Sequence, residues 1–305
     1  MSSKEKKTKI YFYQIVPEVE GKMKEDAINS ISEIFLFKKS TYLEIKKLDG
    51  DISISTIQRI HSDRYCLGTL IFNQTNNVPP KYDGKNTEKI DLKKGEGLGH
   101  DSCFIFDSKT NIIAFESKIP GVNIGNLEAL IKENYKDAPK FTFSMIIIPN
   151  EYQKFLNSTS YSRLEYSVAR PTNTTNLPSV NNTSLGKTID AFDDINAVTG
   201  TIVFSTGRNK KRSLDISSIR LFVQDLLKFN KNEEFLKTLK VTGVDIDDSQ
   251  NHSKIFDLVS NRLVEEISVE RKRVLGKFFT AEKYKQIEGL YLKHQPVLLK
   301  QYKIK

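Results

Sequence analysis

The stretch from Ser102 to Lys118, SCFIFDSKTNIIAFESK, holds two apolar runs separated by a short polar segment. The runs, Ser102–Asp107 and Ile112–Lys118, have the length and the β-branched and aromatic content of strands, and the segment between them is typical of a turn. The stretch therefore predicts a β-hairpin. Because side chains alternate along a strand, we expect Ile113 and Phe115 to face the core.

The same hairpin carries a carboxylate pattern that resembles a nuclease site. Asp101 and Asp107, followed by Glu116-Ser117-Lys118, resemble the Asp…Glu-x-Lys pattern of restriction-type nucleases. In that chemistry the carboxylates hold magnesium, and the lysine steadies the attacking water or the leaving oxygen. Strand alternation, however, places Glu116 and Lys118 on a polar face toward solvent. We expect no second carboxylate close enough to share a metal ion there.

Strand-like and helical patterns mix irregularly along the rest of the chain, which predicts an α+β fold made of two mixed β-sheet domains with packed helices. The predicted domains are residues 1–157 and 158–305. Asp215 is placed to cap a helix that begins at the next residue. The apolar residues have helical spacing in Lys24–Phe37, Ile216–Phe229, Lys254–Val269 and Gln286–Lys300, the last of them interrupted by Pro296.

Composition argues against several classes of protein. No apolar run is long enough for a transmembrane helix. Cys66 and Cys103 are too few for a disulfide framework or a four-thiolate zinc site, and both lie in apolar runs, so we expect reduced core residues and a cytoplasmic location. The four histidines lack metal-binding spacing, and Gly95–Gly99 lacks the Gly-Lys-Ser/Thr of a phosphate-binding loop. We therefore expect no cofactor.

Positive charge is concentrated near the C-terminus. Residues 271–305 contain ten Lys or Arg and two Glu, so they contribute 10 − 2 = +8 of the +9 net charge of the chain. Five aromatic residues lie among these cations, and a second segment, residues 208–212, has four cations in five positions. Such segments suit a polyanion, because phosphate neutralisation releases counterions. The predicted DNA-binding residues are Arg208, Lys210, Lys211, Arg212, Arg271, Lys272, Arg273 and Lys277.

Several segments, taken in order, resemble RexA-like phage exclusion proteins. They are IFLF at 34–37 with YLEIKKLDG at 42–50, GLGH at 97–100 before a strand, and RLEYSVARP at 163–171. The resemblance spans roughly residues 30–230 and includes no catalytic motif. It implies a two-domain α+β protein that dimerises, binds DNA without sequence preference, is structurally similar to RdgC-like DNA-binding proteins, and works with a membrane partner encoded nearby.

Three hypotheses about function follow from these patterns. The first is a cytoplasmic, homodimeric, non-catalytic DNA-binding protein of an abortive-infection or phage exclusion system. No sequence-reading motif such as a zinc finger or helix-turn-helix is present, so contacts to phosphates are expected instead of base readout. The second is a metal-dependent nuclease that uses Asp101, Glu116 and Lys118. The third is a protein-binding sensor whose basic tail contacts lipids or an acidic protein.

Overall fold

The computed structural model describes residues 5–18, 23–38, 43–118, 120–169, 194–195, 197–207, 212–229, 236–244, 253–270 and 280–302. These residues contain five helices and fourteen strands, in three sheets. The fold is α+β, as the irregular mixture of patterns predicted. None of the described helices combines the length and the apolar character that crossing a membrane requires.

The chain forms two compact units. Unit 1 contains residues 1–142 and 264–305, and unit 2 contains residues 143–263. This division differs from the predicted contiguous split after residue 157, because the chain returns to unit 1 for its last segment. Local composition does not predict a return of this kind, since the return depends on which sheet edge the distant segment pairs with.

Unit 1 is built on one large sheet, whose main path has the order β14-β1-β8-β7-β4-β3-β2, with β9 pairing to β1 off this path. A two-stranded sheet, β5-β6, lies in the loop between β4 and β7. The bounds are β1 Glu5–Pro17, β2 Glu44–Lys47, β3 Gly50–Ile60, β4 Tyr65–Gln74, β5 Lys81–Tyr82, β6 Thr87–Glu88, β7 Leu98–Asp107, β8 Ile112–Glu116, β9 Phe141–Met145 and β14 Val264–Glu270. The predicted hairpin is β7–β8, at the centre of the sheet.

Helices cover both faces of the large sheet. Helix α1, Met23–Phe35, packs on one face, where the Phe35 ring lies 5.4 Å from that of Phe106. Helix α5, Thr280–Tyr302, packs on the other, where Tyr291 stacks on Phe12 at 6.1 Å. Helix α2, Ile124–Asn134, also belongs to this unit. Because β8 lies between two helical layers, all of its residues are buried.

The C-terminal helix differs from its prediction in extent. The sequence predicted helical spacing from Gln286 to Lys300 with an interruption at Pro296, whereas α5 runs from Thr280 to Tyr302 with Pro296 inside it. A proline removes one backbone donor from a helix. Ile287 precedes the proline and Leu298 follows it, and both are buried. Their burial against the sheet stabilises the helix although one backbone donor is missing.

Unit 2 is a four-stranded antiparallel sheet, in the order β11-β10-β12-β13, with two helices. Its core includes Tyr161, Tyr166 and Val223. The Asp215 side chain accepts a hydrogen bond from the Ser218 amide at 2.7 Å, as a helix cap does, which confirms the predicted cap. The bounds are β10 Ser160–Ala169, β11 Thr199–Ser205, β12 Leu236–Val244, β13 Ser253–Asp257, α3 Pro149–Asn157 and α4 Ile216–Phe229.

The predicted helix at Lys254–Val269 is wrong. The segment forms β13, a turn and β14. Its apolar residues belong to two short strands and the turn between them. Their spacing matches that of a helix only when the whole segment is taken as one element. Phe256 pairs across the sheet of unit 2 with Val241, while Ile267 pairs with Thr8 in unit 1.

Candidate active site

The β7–β8 hairpin places several polar side chains on one face of the large sheet. Its antiparallel register aligns Phe104 with Phe115 and Ile105 with Ala114, so Cys103 and Glu116 come opposite each other. The Cys103 amide donates a hydrogen bond to Glu116 Oε2 at 3.0 Å. Since side chains alternate along a strand, Asp101 lies on the same face as Cys103.

Four charged side chains converge on this face. The Lys118 ammonium donates to Asp101 Oδ1 at 2.7 Å and lies 3.7 Å from Glu116 Oε1. The Lys283 ammonium donates to Asp101 Oδ2 at 2.7 Å and to the two Glu116 oxygens at 2.9 and 2.8 Å. We call Asp101, Glu116, Lys118 and Lys283 the carboxylate–lysine cluster. With all four groups ionised, the cluster has no net charge.

Three of the four side chains of the cluster are buried, and Lys118 is half-buried. The exposed fractions of Glu116, Lys283 and Asp101 are 1%, 6% and 8%. A buried charge is tolerated only when it is paired and hydrogen-bonded, and each of these groups is. Burial tends to raise the pKa of Asp101, but Lys283 and Lys118 outweigh it and lower that pKa. Burial likewise opposes the charge on Lys283, yet Glu116 and Asp101 raise its pKa.

Two expectations about the hairpin are wrong, and one is confirmed. Glu116 does not face solvent, and a second carboxylate, that of Asp101, does lie close to it. The cause is α5, which covers the face that strand alternation alone would leave to water. Ile113 and Phe115 are buried, as predicted.

Asp107, the other carboxylate of the sequence pattern, does not join the cluster. It accepts from Arg64 Nε and Nη2 at 3.2 and 3.1 Å and from the Tyr291 hydroxyl at 3.0 Å. Its Oδ1 also accepts from the Lys109 amide at 2.9 Å, which closes the hairpin turn. Burial and the charge of Asp107 together raise the pKa of Tyr291. Asp107 therefore has a structural role at the turn and beneath α5.

The donor set fits a divalent cation. Ligand atoms of Asp101, Cys103 and Glu116 all lie within 4.8 Å of one another. Burial raises the pKa of the Cys103 thiol to about 12, and Mg²⁺ and Mn²⁺ prefer oxygen ligands to sulfur, so the two carboxylates are the better ligands. Two carboxylates suit Mg²⁺ or Mn²⁺, which commonly use one or two protein carboxylates plus water and substrate phosphate. In the structure the Lys283 ammonium bridges the two carboxylates in place of such an ion.

The predicted DNA-binding residues lie almost entirely outside the described part of the chain. Arg212 is described, and it is exposed. Seven of the eight fall on residues that the structure does not describe: Arg208, Lys210, Lys211, Arg271, Lys272, Arg273 and Lys277. Their contact with DNA remains a prediction.

Two of the five aromatic residues among the C-terminal cations do not lie on the surface. Tyr284 and Tyr291, counted among the rings interleaved with C-terminal cations, are 7% and 0% exposed. The Tyr284 hydroxyl bonds to Thr56 at 2.8 Å and to Thr69 at 3.0 Å, so it is committed to the sheet and is not available to stack on bases. Lys285 and Lys300 on the same helix are exposed.

Lys283 is a residue of the candidate site that the sequence analysis missed. A signal was present, because Lys283 precedes Ile287 by one helical turn and so lies next to the apolar stripe of Tyr284, Ile287 and Tyr291. A lysine beside the core-facing stripe of a helix indicates a buried partner. The sequence around Lys283 does not indicate which residues pair with it, since Asp101 and Glu116 lie 182 and 167 positions away.

Comparison with known proteins gives a family but no activity. Among curated proteins, none matches the chain. One family model covers nearly its whole length, from residue 3 to residue 294. The chain therefore belongs to the DUF6731 family, which is described as a family of unknown function.

Proposed function

We propose that this protein is a DNA-cleaving effector of an anti-phage system, with metal-dependent phosphodiester hydrolysis in unit 1. The observation that carries the proposal is the convergence of Asp101, Glu116 and Lys118 on the β7–β8 hairpin. These three residues form the nuclease-like pattern that the sequence contains. In the structure, the Lys118 ammonium lies 2.7 Å from the Asp101 carboxylate and 3.7 Å from the Glu116 carboxylate.

Each group has a defined role in this chemistry. Asp101 and Glu116 would hold the divalent cation, which would supply Lewis-acid stabilisation of the charge that develops on the phosphate. Lys118 steadies the attacking water or the leaving oxygen by hydrogen bonding. The water oxygen forms a bond to phosphorus as the bond from phosphorus to the leaving oxygen breaks. The attacking water releases a proton and the leaving oxygen gains one, so the products are a phosphate monoester and an alcohol.

DNA binding without sequence preference accompanies the hydrolysis in this proposal. The cations of residues 208–212 and 271–277 would contact phosphates, which gives affinity that does not depend on base sequence. The resemblance to RexA-like proteins supports a cytoplasmic homodimer in phage exclusion or abortive infection, with a membrane protein encoded nearby as partner. A cation-rich chain with few opposing carboxylates near its end suits this assignment.

A second candidate function is DNA binding without catalysis, with the carboxylate–lysine cluster fastening α5 to the sheet. The observation that favours it is the pairing of both carboxylates with two lysines, which leaves neither Asp101 nor Glu116 without a cation. In that case the cluster contributes structural specificity, and residues 208–212 and 271–277 carry the whole function.

Cleavage of supercoiled plasmid by the full chain separates the two candidates. With Mg²⁺ or Mn²⁺ and no chelator, we expect nicking that Glu116→Gln reduces by about 100-fold or more, because several kcal/mol of transition-state stabilisation is lost. Glu128→Gln is the matched control, since Glu128 is also buried and pairs with Lys132 at 2.6 Å on α2. Cleavage at the wild-type rate by folded Glu116→Gln would remove Glu116 from the chemistry and leave the non-catalytic candidate.

A further inference from the structure

Lys283 occupies the position that a metal ion would need. Its ammonium makes three hydrogen bonds of 2.7 to 2.9 Å to Asp101 and Glu116, the two residues best suited to hold a divalent cation. A metal ion in the same place would be repelled by the charge of Lys283 and would clash with its side chain. The site therefore already binds a cation, and that cation is a side chain of the protein.

Lys283 comes from a different element than the carboxylates it bridges. Asp101 and Glu116 belong to the β7–β8 hairpin, whereas Lys283 lies in the first turn of α5. Lys118 follows β8 by two residues, and its contacts with Asp101 and Glu116 do not involve α5. Withdrawal of the first turn of α5 would thus remove one cation and leave Asp101, Glu116 and Lys118 together.

Neutral hydrogen bonds next to the cluster hold this turn in place. The Tyr284 hydroxyl bonds to Thr56 and Thr69 on adjacent strands, and Gln286 accepts from the Ser268 amide at 2.9 Å. These bonds do not involve the carboxylates, so they can be weakened without any change in the metal-ligand set.

We propose that Lys283 is a built-in competitor for the divalent cation, so that the seated first turn of α5 keeps the carboxylate site closed to metal. Displacement of that turn opens the site. The inference rests on the proposed function only for what the bound metal does. Competition between Lys283 and the metal concerns binding alone and does not require hydrolysis. The ligand class is a hard divalent cation, Mg²⁺ or Mn²⁺.

Metal affinity of the full chain tests the competition directly. Isothermal titration with Mn²⁺ compares the wild type with Lys283→Gln, which keeps a hydrogen-bond donor but has no charge. If the site is open in fewer than about one wild-type molecule in ten, removing Lys283 strengthens Mn²⁺ binding by at least about tenfold. Lys285→Gln is the matched control, since Lys285 is exposed on the same helix. Glu116→Gln/Lys283→Gln should lose the gain.

A milder variant leaves the cluster chemically intact. Tyr284→Phe removes the hydroxyl bonded to Thr56 and Thr69 and loosens the first turn of α5, while every charged group of the cluster is kept. We expect an Mn²⁺ affinity between those of the wild type and Lys283→Gln. Equal Mn²⁺ affinity in the wild type, Tyr284→Phe and folded Lys283→Gln would overturn the proposal.

Lysine labelling of the wild type decides the matter if the variants do not fold. Acetylation followed by mass spectrometry measures Lys283 against Lys285. Excess Mn²⁺ should increase labelling of Lys283 and leave Lys285 unchanged, because the metal displaces the Lys283 ammonium from the carboxylates. Labelling of Lys283 that does not respond to Mn²⁺ would then contradict the proposal.

Plasmid cleavage by the same variants distinguishes this inference from the proposed function. A gain in Mn²⁺ affinity without cleavage by any variant would support the competition and contradict the nuclease. Metal-dependent cleavage by the wild type, with no gain on Lys283→Gln, would support the nuclease and contradict the competition. A gain in both supports both, and a gain in neither contradicts both.

Discussion

At the scale of single residues, the buried charges of unit 1 are tolerated because each has partners of opposite sign. Glu116 is 1% exposed and accepts from Lys283 and from the Cys103 amide. Removing one member of a buried pair costs about 3–5 kcal/mol, because it leaves an uncompensated charge away from water. Substitution of one member of the cluster should therefore destabilise the fold whether or not the cluster is catalytic.

The lowered pKa of Asp101 predicts how its contribution to stability depends on pH. A carboxyl whose pKa is lower in the folded state stabilises the fold above its unfolded pKa, and this contribution is lost as the pH falls through the folded pKa. We expect Asp101→Asn to destabilise the protein at pH 7. The difference from wild type should shrink below about pH 3.9, the unfolded value, as wild-type Asp101 itself becomes neutral.

Urea denaturation between neutral and acidic pH measures this effect. Asp91→Asn, at an exposed position, serves as control and should change the free energy of unfolding by less than about 0.5 kcal/mol. A destabilisation by Asp101→Asn that stays constant across the whole pH range would show that the charge of Asp101 does not stabilise the folded state.

At the scale of elements, α5 determines the environment of the β7–β8 hairpin. Its core-facing side chains Tyr284, Ile287, Tyr291 and Leu298 are buried, and its Lys283 completes the cluster. Without this helix, one face of the central strands would be open to water, as the placement of Glu116 and Lys118 on one strand face suggested. The helix thus converts a half-exposed hairpin into a buried one.

Two leucines on α5 test its packing. Leu298 is 0% exposed and Leu292 is 38% exposed. Leu298→Ala should lower the free energy of unfolding by about 2–5 kcal/mol through lost burial and the cavity left behind. Leu292→Ala should change it by about 0.5 kcal/mol or less, since Leu and Ala have similar helix propensities. Equal effects in urea denaturation would contradict the placement of α5 on the sheet.

At the scale of the whole molecule, the charge of the chain is uneven: +9 overall, of which residues 271–305 supply +8. Part of this charge is paired with carboxylates, because Lys283 is buried against Asp101 and Glu116 and the exposed Lys293 pairs with Glu265 at 3.0 Å. The exposed remainder includes Lys285 and Lys300. DNA affinity should accordingly depend on fewer cations than the sequence total suggests.

Binding to DNA should be general and sensitive to salt. We expect duplexes of unrelated sequence to bind within a few-fold of one another, and the logarithm of the binding constant to fall with log salt at about −0.9 per phosphate contact. Changing Arg208, Lys210, Lys211 and Arg212 together to Ser should weaken binding to all duplexes and reduce the slope.

An equal loss of charge elsewhere provides the control for this prediction. Lys85, Lys89, Lys93 and Lys94 are exposed in the loop before β7, and changing all four to Ser removes the same number of cations. If both quadruple variants bind DNA equally well, net charge alone determines affinity and the 208–212 segment has no particular role. Strong preference for one operator sequence would contradict phosphate binding altogether.

Local sequence patterns were enough to predict several of the elements and the fold class. The runs around Asp107–Asn111 predicted the central hairpin, the apolar spacing of Ile216–Phe229 predicted α4, and Asp215 was identified as its cap. These features depend on residues that are close in sequence, so their periodicity and turn residues can be recognised from the sequence alone. The candidate set Asp101, Glu116 and Lys118 also came from sequence, through its spacing on one hairpin.

The surroundings of those residues depend on long-range packing, which the sequence patterns did not predict. It buried Glu116, brought Lys283 to it, separated Asp107 into a different network, and turned the predicted helix at Lys254–Val269 into two strands. The physical reason is that burial of a sheet face depends on which distant segment packs there, and α5 follows the hairpin by more than 160 positions. Strand geometry places Glu116 and Lys118 on one face, but the helix that packs on that face determines whether Glu116 contacts water or a lysine.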